Sequence, residues 1–325
     1  MVGRDFSFGN GGKIRVDKNI DSFGTGVEAV ITSFNQGPMI LEAVASLCAQ
    51  TRLPQKIIIV DDGSTDECSK RILKEIEKKP GLPVPVMVHY QENRGVSAAR
   101  NAGIQKAQAP MVLVLDGDDK LKPGYIEEVS RMLLGNPSMV AASSWMHTFG
   151  TLDSLVCPSG GKISSFLSHN CCPATHILRR DRFEQCGGYD ESMRSGFEDW
   201  DFFLSMLETS PESLIGIVDK PLIQYRTAPA SSNVKSMEKR LGLMRFLIEK
   251  HKDSYHEHIV DALLGIEAIS NLRLYHWENE VTHAMANHQE LSQSSKDFLE
   301  SPTYGDGGMA SAVRIVSAWE EQSLS

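Results

Sequence analysis

The sequence predicts an α/β fold, a mostly parallel sheet flanked by helices on both faces, followed by a helical C-terminal region. Three observations predict it. Short apolar runs alternate with helix-periodic stretches from residue 27 to about residue 135, each apolar run stops at a cluster of polar residues, and beyond about residue 232 only helical periodicity remains.

Val27 to Phe34, Lys56 to Val60, Val84 to Tyr90 and Met111 to Leu115 have the length, the β-branched content and the Gly/Pro or polar boundaries of buried strands. Between the first two, Ile40, Val44 and Leu47 share a helical face. Ile72, Leu73 and Ile76 mark a second helix, with Ser64 and Glu67 at capping-box spacing before it. Val96 to Ala107 is a third helix, rich in small residues that allow close packing on a sheet. Pro123 opens a fourth, with Ile126, Val129 and Met132 facing inward. Past residue 232, Leu241, Met244, Leu247 and Ile248 form one helical stripe and Ile259, Leu263, Ile266 and Ile269 another, both expected to pack on the core domain. Ser292 to Gly308 reads as a loop before a last helix at Ala310 to Trp319. His251, His256, His258, His276, His283 and His288 follow no metal-binding spacing and read as a solvated helical face. The expected organisation is thus an extension at 1–26, a sheet domain at 27–231 and a helical region at 232–325.

Composition narrows the class. A chain of 325 residues, 41% hydrophobic, can bury a large core. Its formal charge of −9 argues against a nucleic-acid partner, which needs clustered cations to displace counterions. No run approaches the roughly 18 apolar residues of a membrane span, and residues 1–26 lack an apolar signal segment. Six cysteines without a C-x-x-C pair read as reduced thiols and not as structural zinc ligands, so the expected location is the cytoplasm or the cytoplasmic face of a membrane, where peripheral association stays open.

Ligands of parallel sheets bind at the carboxyl ends of the strands, and there this chain concentrates its polar residues. Thr32 and Asn35 end the first strand, Asp61 and Asp62 the second; Asn93 and Arg94 follow the third, and Asp116 and Asp118 end the fourth. Acceptors for a base edge, cations for phosphate and carboxylates for a metal suit a nucleoside diphosphate with a divalent cation. Mg2+ and Mn2+ recruit only one or two protein carboxylates, which Asp116 and Asp118 supply. Each group alone reads equally as a turn or helix cap; four successive strand ends argue for a site. Downstream, the Gly187-Gly188-Tyr189-Asp190 turn precedes Phe197-Glu198-Asp199-Trp200-Asp201, whose acids open a helix. There the dipole favours a carboxylate, which serves either as a cap or as a general base.

Val30-Ile31-Thr32-Ser33-Phe34-Asn35, Val60-Asp61-Asp62-Gly63-Ser64, Asn93-Arg94-Gly95 through Arg100-Asn101-Ala102-Gly103, Leu115-Asp116-Gly117-Asp118-Asp119, and then Gly187 to Asp190 and Glu198 to Asp201 together resemble family-2 glycosyltransferases of the Rossmann-like GT-A fold. The resemblance covers roughly residues 27 to 230. It implies a nucleotide-sugar donor, with UDP favoured, an acceptor hydroxyl on a carbohydrate or other molecule, Mn2+ or Mg2+, and inversion at the sugar carbon. By position it implies that Thr32, Phe34, Asn35, Asp61, Asp62, Asn93, Asp116 and Gly117 hold the nucleotide, and that Arg94 or Arg100 lies near the diphosphate. Asp118 would be the main metal contact with Asp116 as its partner, and Asp199, beside Glu198, the catalytic base.

Many such proteins carry a His shortly after a Tyr-Arg pair, but Tyr225-Arg226 is followed here by Thr227-Ala228-Pro229. That departure motivates the alternative of a degenerate nucleotide-sugar-binding or scaffolding protein. A sugar-1-phosphate nucleotidyltransferase is disfavoured, because Ser33-Phe34-Asn35-Gln36 is not a Gly-rich basic loop. Trp145, His176 and Trp200 are candidates for sugar or acceptor contact, with core packing open for each. Cys171-Cys172-Pro173 reads as packing. Sugar, acceptor and oligomeric state are not legible.

Overall fold

The computed structural model describes residues 4–8, 12–16, 26–229, 236–287, 289–303 and 306–323, the first two segments and 318–323 by backbone alone. Residues 230–235, where the expected boundary at 231 falls, lie outside the described residues, as do His288 and most of the expected 1–26 extension. What is described of that extension is an antiparallel pair, β1 (Arg4–Phe8) and β2 (Gly12–Val16). The chain divides into two compact units, Met1–His258 and Ile259–Ser325.

Within the first unit, strands β3 (Val27–Ser33), β4 (Ile57–Asp61), β5 (Val86–Tyr90) and β6 (Met111–Asp116) pair in parallel in the order β5-β4-β3-β6. Every residue of β3 and β4 is buried, as expected for strands covered on both faces. The sheet then continues through β10 (His176–Arg179), β8 (Met139–Gly150), β11 (Leu214–Thr227) and the short β7 (Lys120–Leu121), with β9 (Leu155–Val156) beside β8. In this half the pairing is mixed. β10 runs antiparallel to β6 and β8, whereas β8 and β11 are parallel.

Helices α1 (Met39–Cys48), α2 (Glu67–Lys78), α3 (Val96–Lys106) and α4 (Tyr125–Gly135) connect the strands. Ile40, Val44 and Leu47 of α1, Ile72, Leu73 and Ile76 of α2, and Ile126 and Val129 of α4 enter one core with β3, β4 and β6, and Met132 packs partly buried against it. Two boundaries differ from the sequence reading. The cap of α2 is Asp66, whose carboxylate accepts from the Ser69 N–H at 2.8 Å, because Ser64 is engaged elsewhere. Pro123 lies two residues ahead of α4, which begins at Tyr125 after Gly124.

Small residues let α3 approach the sheet closely. A methyl at Gly103 would collide with Val30 Cγ1 and lie 3.1 Å from Val60 Cγ2. Past α4 come α5 (Ile163–Phe166), α6 (Arg180–Cys186) and α7 (Glu198–Leu207), then α8 (Arg240–Lys250) and α9 (Lys252–Glu257). Of the expected α8 stripe only Leu247 is buried; Leu241 and Ile248 are exposed.

The second unit holds α10 (Ile259–Ala286), α11 (Gln293–Glu300) and α12 (Gly308–Ser323). Trp277 meets Phe298 edge-on at 4.5 Å between centroids, and Glu278 accepts from Ser311 and Arg314. Ile259, Leu263 and Ile266 are exposed, contrary to the buried stripe expected. The expected loop at Ser292 to Gly308 contains α11, because Ser292 caps a helix there by accepting from the Ser295 N–H at 3.2 Å.

Gly103→Ala is expected to cost about 1–3 kcal/mol by overpacking, read as a lower urea midpoint at unchanged slope. Adding Val30→Ala is expected to recover part of that loss in a double-mutant cycle.

Candidate active site

The parallel order β5-β4-β3-β6 sets the predicted polar residues side by side along one edge. Thr32, near the end of β3, is buried and donates from Oγ1 to Asp116 Oδ1 at the end of β6, 2.9 Å away. Gly117 follows, with its N–H on Thr32 O at 2.9 Å; a Cβ there would stand 2.6 Å from the same oxygen. No side chain fits without opening the two strand ends.

The neighbouring loops are cross-braced by the residues predicted to hold a nucleotide. Asn35, at φ 53°, accepts on Oδ1 from the Thr65 N–H at 2.8 Å and the Asp66 N–H at 3.2 Å. Asp61 accepts from Ser64 Oγ at 2.5 Å, and Ser64 Oγ in turn accepts from the Asn35 N–H at 2.8 Å. Asp62 accepts from Gln91 Nε2 and from the backbone N–H groups of Arg94 and Gly95, at 2.8 to 2.9 Å. It therefore shapes the loop carrying Asn93. Phe34 and Asn93 stay exposed at the rim. Arg94 is exposed and its guanidinium donates to Glu191 at 2.5 Å.

Arg100 is placed differently from an open phosphate contact. Its side chain is 2% exposed. One nitrogen, NH2, reaches both Asp116 oxygens at 3.0 Å, and NH1 reaches Glu198 Oε1 at 3.1 Å. The guanidinium lies 5.4 Å from the Tyr189 ring centroid. Burial disfavours its charge, but Asp116 and Glu198 outweigh it and hold the group protonated. A single buried cation thus ties the end of β6 to the start of α7.

Two further acids follow Asp116. Asp119 is buried and accepts from the Arg226 N–H at 2.7 Å; burial, then Asp118, raise its proton affinity well above that of an ordinary carboxylate. Asp118 is half-buried, its backbone carbonyl accepts from Arg226 Nε at 2.9 Å, and the proton affinity of its carboxylate is raised by burial and then by Asp116. Among the described residues no group of three or more His, Cys, Asp or Glu could hold a metal ion. The donor set that remains, Asp118 beside Asp116, still fits a Mg2+ or Mn2+ that completes its shell with water and phosphate oxygens.

Asp199 sits in the first turn of α7, after Phe197 at φ 64°, a sparsely populated backbone conformation for an aromatic residue. Its Oδ1 accepts from the Trp200 N–H at 2.8 Å and its Oδ2 from Asn170 Nδ2 at 3.0 Å. Burial, and next the Glu198 carboxylate, push it up to about 7. A cleft of about 620 Å3 opens here, lined by Asp116, Asp119, Arg100, Glu198 and Asp199 together with residues 156–159, 169–175, 236–237 and 240.

The three candidate sugar contacts do not reach into this cleft as free side chains. His176 is fully buried, packs at 4.9 Å on the Phe203 ring and places Nδ1 2.7 Å from Ala174 O, so it belongs to the core. Trp200 is 2% exposed and donates from Nε1 to Phe166 O at 2.7 Å; its ring is part of the cleft wall. Trp145 is half-buried outside the lining, because alternation along β8 sends its neighbour Met146 into the cleft instead.

Two residues named in the sequence motifs without a contact of their own shape the site. Asn101 donates to Tyr189 O and accepts from the Tyr189 N–H, both at 2.9 Å, and so clamps the Gly187–Asp190 turn to α3. Asp201, 1% exposed, is held by Lys250 Nζ at 2.8 Å and His251 Nε2 at 3.0 Å. His251 is therefore a buried partner of α7 and not part of a solvated face. The adjacency of Arg100-Asn101 offered a signal for the first case; the long separation of Asp201 from Lys250 offered none for the second.

With the geometry in view, residues 28–184 match the family model described as Glycosyl transferase family 2. Over that stretch, just under half of its length, the chain is similar to this family. It is 26% identical over 186 residues to an uncharacterized glycosyltransferase, YwdF, of Bacillus subtilis, covering 55% of this chain and 66% of that one. To the succinoglycan biosynthesis protein ExoU of Rhizobium meliloti it is 28% identical over 201 residues, covering 56% and 57%. The chain thus spans between half and two thirds of these relatives. Among solved structures, S. aureus TarS 1-349 in complex with UDP shares the fold at a TM-score of 0.53 and 15% identity, over 92% of this chain and 91% of that one. The GT-A architecture expected from the motifs is the architecture found.

Replacing Arg100 by Met is expected to destabilise the protein by about 3 kcal/mol or more, since Asp116 and Glu198 are left facing each other without a cation. Chemical denaturation measures the loss, and Arg100→Lys is expected to recover only part of it because an ammonium lacks the planar fork.

Proposed function

We propose that this chain is an inverting, metal-assisted family-2 glycosyltransferase that moves a sugar from a UDP-sugar to an acceptor hydroxyl, working in the cytoplasm or at the cytoplasmic face of a membrane. The observation that carries the reading is the meeting of Asp116 and Asp199 on one cleft, with Asp199 placed near neutrality as a base requires. The neighbour solved with UDP supports the choice of nucleotide. All six cysteines are free, and no helix among the described residues is long and apolar enough to cross a membrane.

In this reading the base stacks near exposed Phe34, Thr32 and the Asp61-Asp62 loop position the nucleoside, and Asp116 faces the ribose. Asp118, with Asp116, would hold Mg2+ or Mn2+, which when bound offsets charge on the diphosphate. Asp199 takes the proton of the acceptor hydroxyl as that oxygen bonds to the sugar C1. The bond from C1 to the phosphate oxygen breaks on the opposite side, and UDP departs with the electron pair. Asn170 and the Trp200 N–H orient the carboxylate for that proton. The expected domain limits, 27–231 for the transferase and 232–325 for the helices, remain part of this proposal.

Calorimetric titration with UDP, GDP, dTDP and ADP, with and without Mn2+, is expected to show metal-dependent binding of UDP that Asp118→Ala loses. Absence of nucleotide binding by the wild-type chain would overturn the reading.

Asp199→Asn is expected to bind UDP normally and to lose about 10²- to 10⁴-fold in transfer rate. The wild-type rate should rise with pH through about 7 as Asp199 gives up its proton. Because its folded value lies above the ordinary 3.8, Asp199 costs stability above pH 7, and the cost fades as pH falls toward 4. The Asn variant should therefore melt higher than wild type at pH 8 and no higher near pH 4.

A further inference from the structure

Two arginines line the cleft, Arg100 and Arg240. Arg100 is consumed by Asp116 and Glu198. Four other cations near the site are likewise matched: Arg94 with Glu191, Lys120 and Arg226 with Glu42, Lys250 with Asp190 and Asp201. Arg240 forms no such pair among the described residues. It is half-buried, and its guanidinium lies 5.4 Å from the centroid of the Phe197 ring, next to Glu198 and Asp199. A protein of net charge −9 has carboxylates to spare, so a cleft cation held over an aromatic ring and paired with none of them is available to a ligand.

Its seat is Phe197, two residues before Asp199. The loops carrying Asn35, Asp62 and Asn93 are tied to one another through Ser64, Asp66 and Gly95. Arg240 lines the cleft wall beside His169, close enough for its charge to act on that ring. The residue after His169, Asn170, donates to Asp199, so this wall lies where the base meets the acceptor. The proton affinity of His169 is lowered, by burial first and by the Arg240 charge second.

We propose that Arg240, seated on Phe197, is an anion-recognition point on the acceptor side of the cleft, and that the acceptor carries a phosphate or carboxylate group near the hydroxyl that is glycosylated. The inference rests on the transferase reading above and adds the class of acceptor to it.

The test titrates the full chain, with and without UDP, with matched probes: glucose against glucose 6-phosphate, and methyl glucoside against methyl glucuronoside. The two pairs distinguish phosphate from carboxylate. At least one anionic probe is expected to bind about tenfold or more tighter than its neutral partner, the scale of one charge-assisted contact. Arg240→Gln should abolish that preference, Arg240→Lys should retain part of it, and both should keep the wild-type UDP affinity and melting temperature. Equal binding of anionic and neutral probes to the wild type overturns the proposal, as does a preference that survives Arg240→Gln. Loss of UDP affinity in Arg240→Gln overturns it too, by assigning the cation to the donor diphosphate. If the wild type fails to bind UDP, the transferase reading falls, while the probe titration without UDP still decides whether Arg240 selects anions.

Discussion

One buried guanidinium organises this site. Arg100 enters from α3 beneath the ends of β3 and β6 and divides its donors between Asp116 and Glu198, at 3.0 and 3.1 Å. Without that cation, acids from β6 and α7 would face one another across a partly desolvated space, where repulsion is weakly screened. Desolvating an arginine is costly, and the cost is offset only because both acceptors are charged and the fork geometry suits them. The rest of α3 serves that placement. Gly103 allows the helix to press against Val30 and Val60, and Asn101 one residue on seizes the Tyr189 backbone. Tyr189 then stacks on Phe202 at 3.8 Å, which joins the turn to α7.

A second set of charges holds α7 from its other side. Asp201 receives Lys250 and His251, and His251 reaches Glu208 at 2.9 Å. Tyr255 adds a hydrogen bond to Leu167 O at 2.9 Å. The helix carrying Asp199 is therefore gripped by α3 at its start and by α8 and α9 along its length. Such over-determination is what allows Phe197 to keep a left-handed backbone at the cap, a conformation costing of order 1–3 kcal/mol in isolation. The strain lies immediately before the two acids, where it sets the direction in which Asp199 leaves the chain.

The parts of the fold legible in the sequence are those in which local pattern and tertiary environment agree. β3, β4 and β6 are buried on both faces and read as continuous apolar runs; α1 and α2 show their buried stripes at helical spacing. The mixed half of the sheet was not legible, because β8 and β11 are long and interrupted by polar residues, and β11 is irregular around Pro221. The second unit misled for the opposite reason: α10 has an apolar stripe that is exposed. The acids of β6 and α7 singled out by motif order line one cleft. What that order could not convey is which polar residues are spent on the scaffold. Asp62 and Asn35 look like free ligands in sequence, yet their side chains are largely committed to backbone N–H groups of neighbouring loops. Trp200 and His176 look like binding residues and are packed, because both adjoin elements whose burial only the assembled sheet defines.

The state of Asp199 follows from a balance among these same groups. Burial and Glu198 favour its proton, while Arg100 and the Trp200 N–H oppose it. Arg100 reaches Glu198 directly but not Asp199, so it neutralises the neighbour that would otherwise push Asp199 further, without forming the ion pair that would pull it into the ordinary carboxylate range. A carboxylate paired outright would be a weak base; one left beside a bare Glu198 would stay protonated at neutral pH. Placing the cation one residue away yields a group that can both accept a proton and exist ionised near pH 7, and it does so with the same side chain that fixes Asp116. The proton affinity of Asp199 and the placement of Asp116 are thereby coupled through a single residue, and neither can be tuned independently while Arg100 joins β6 to α7.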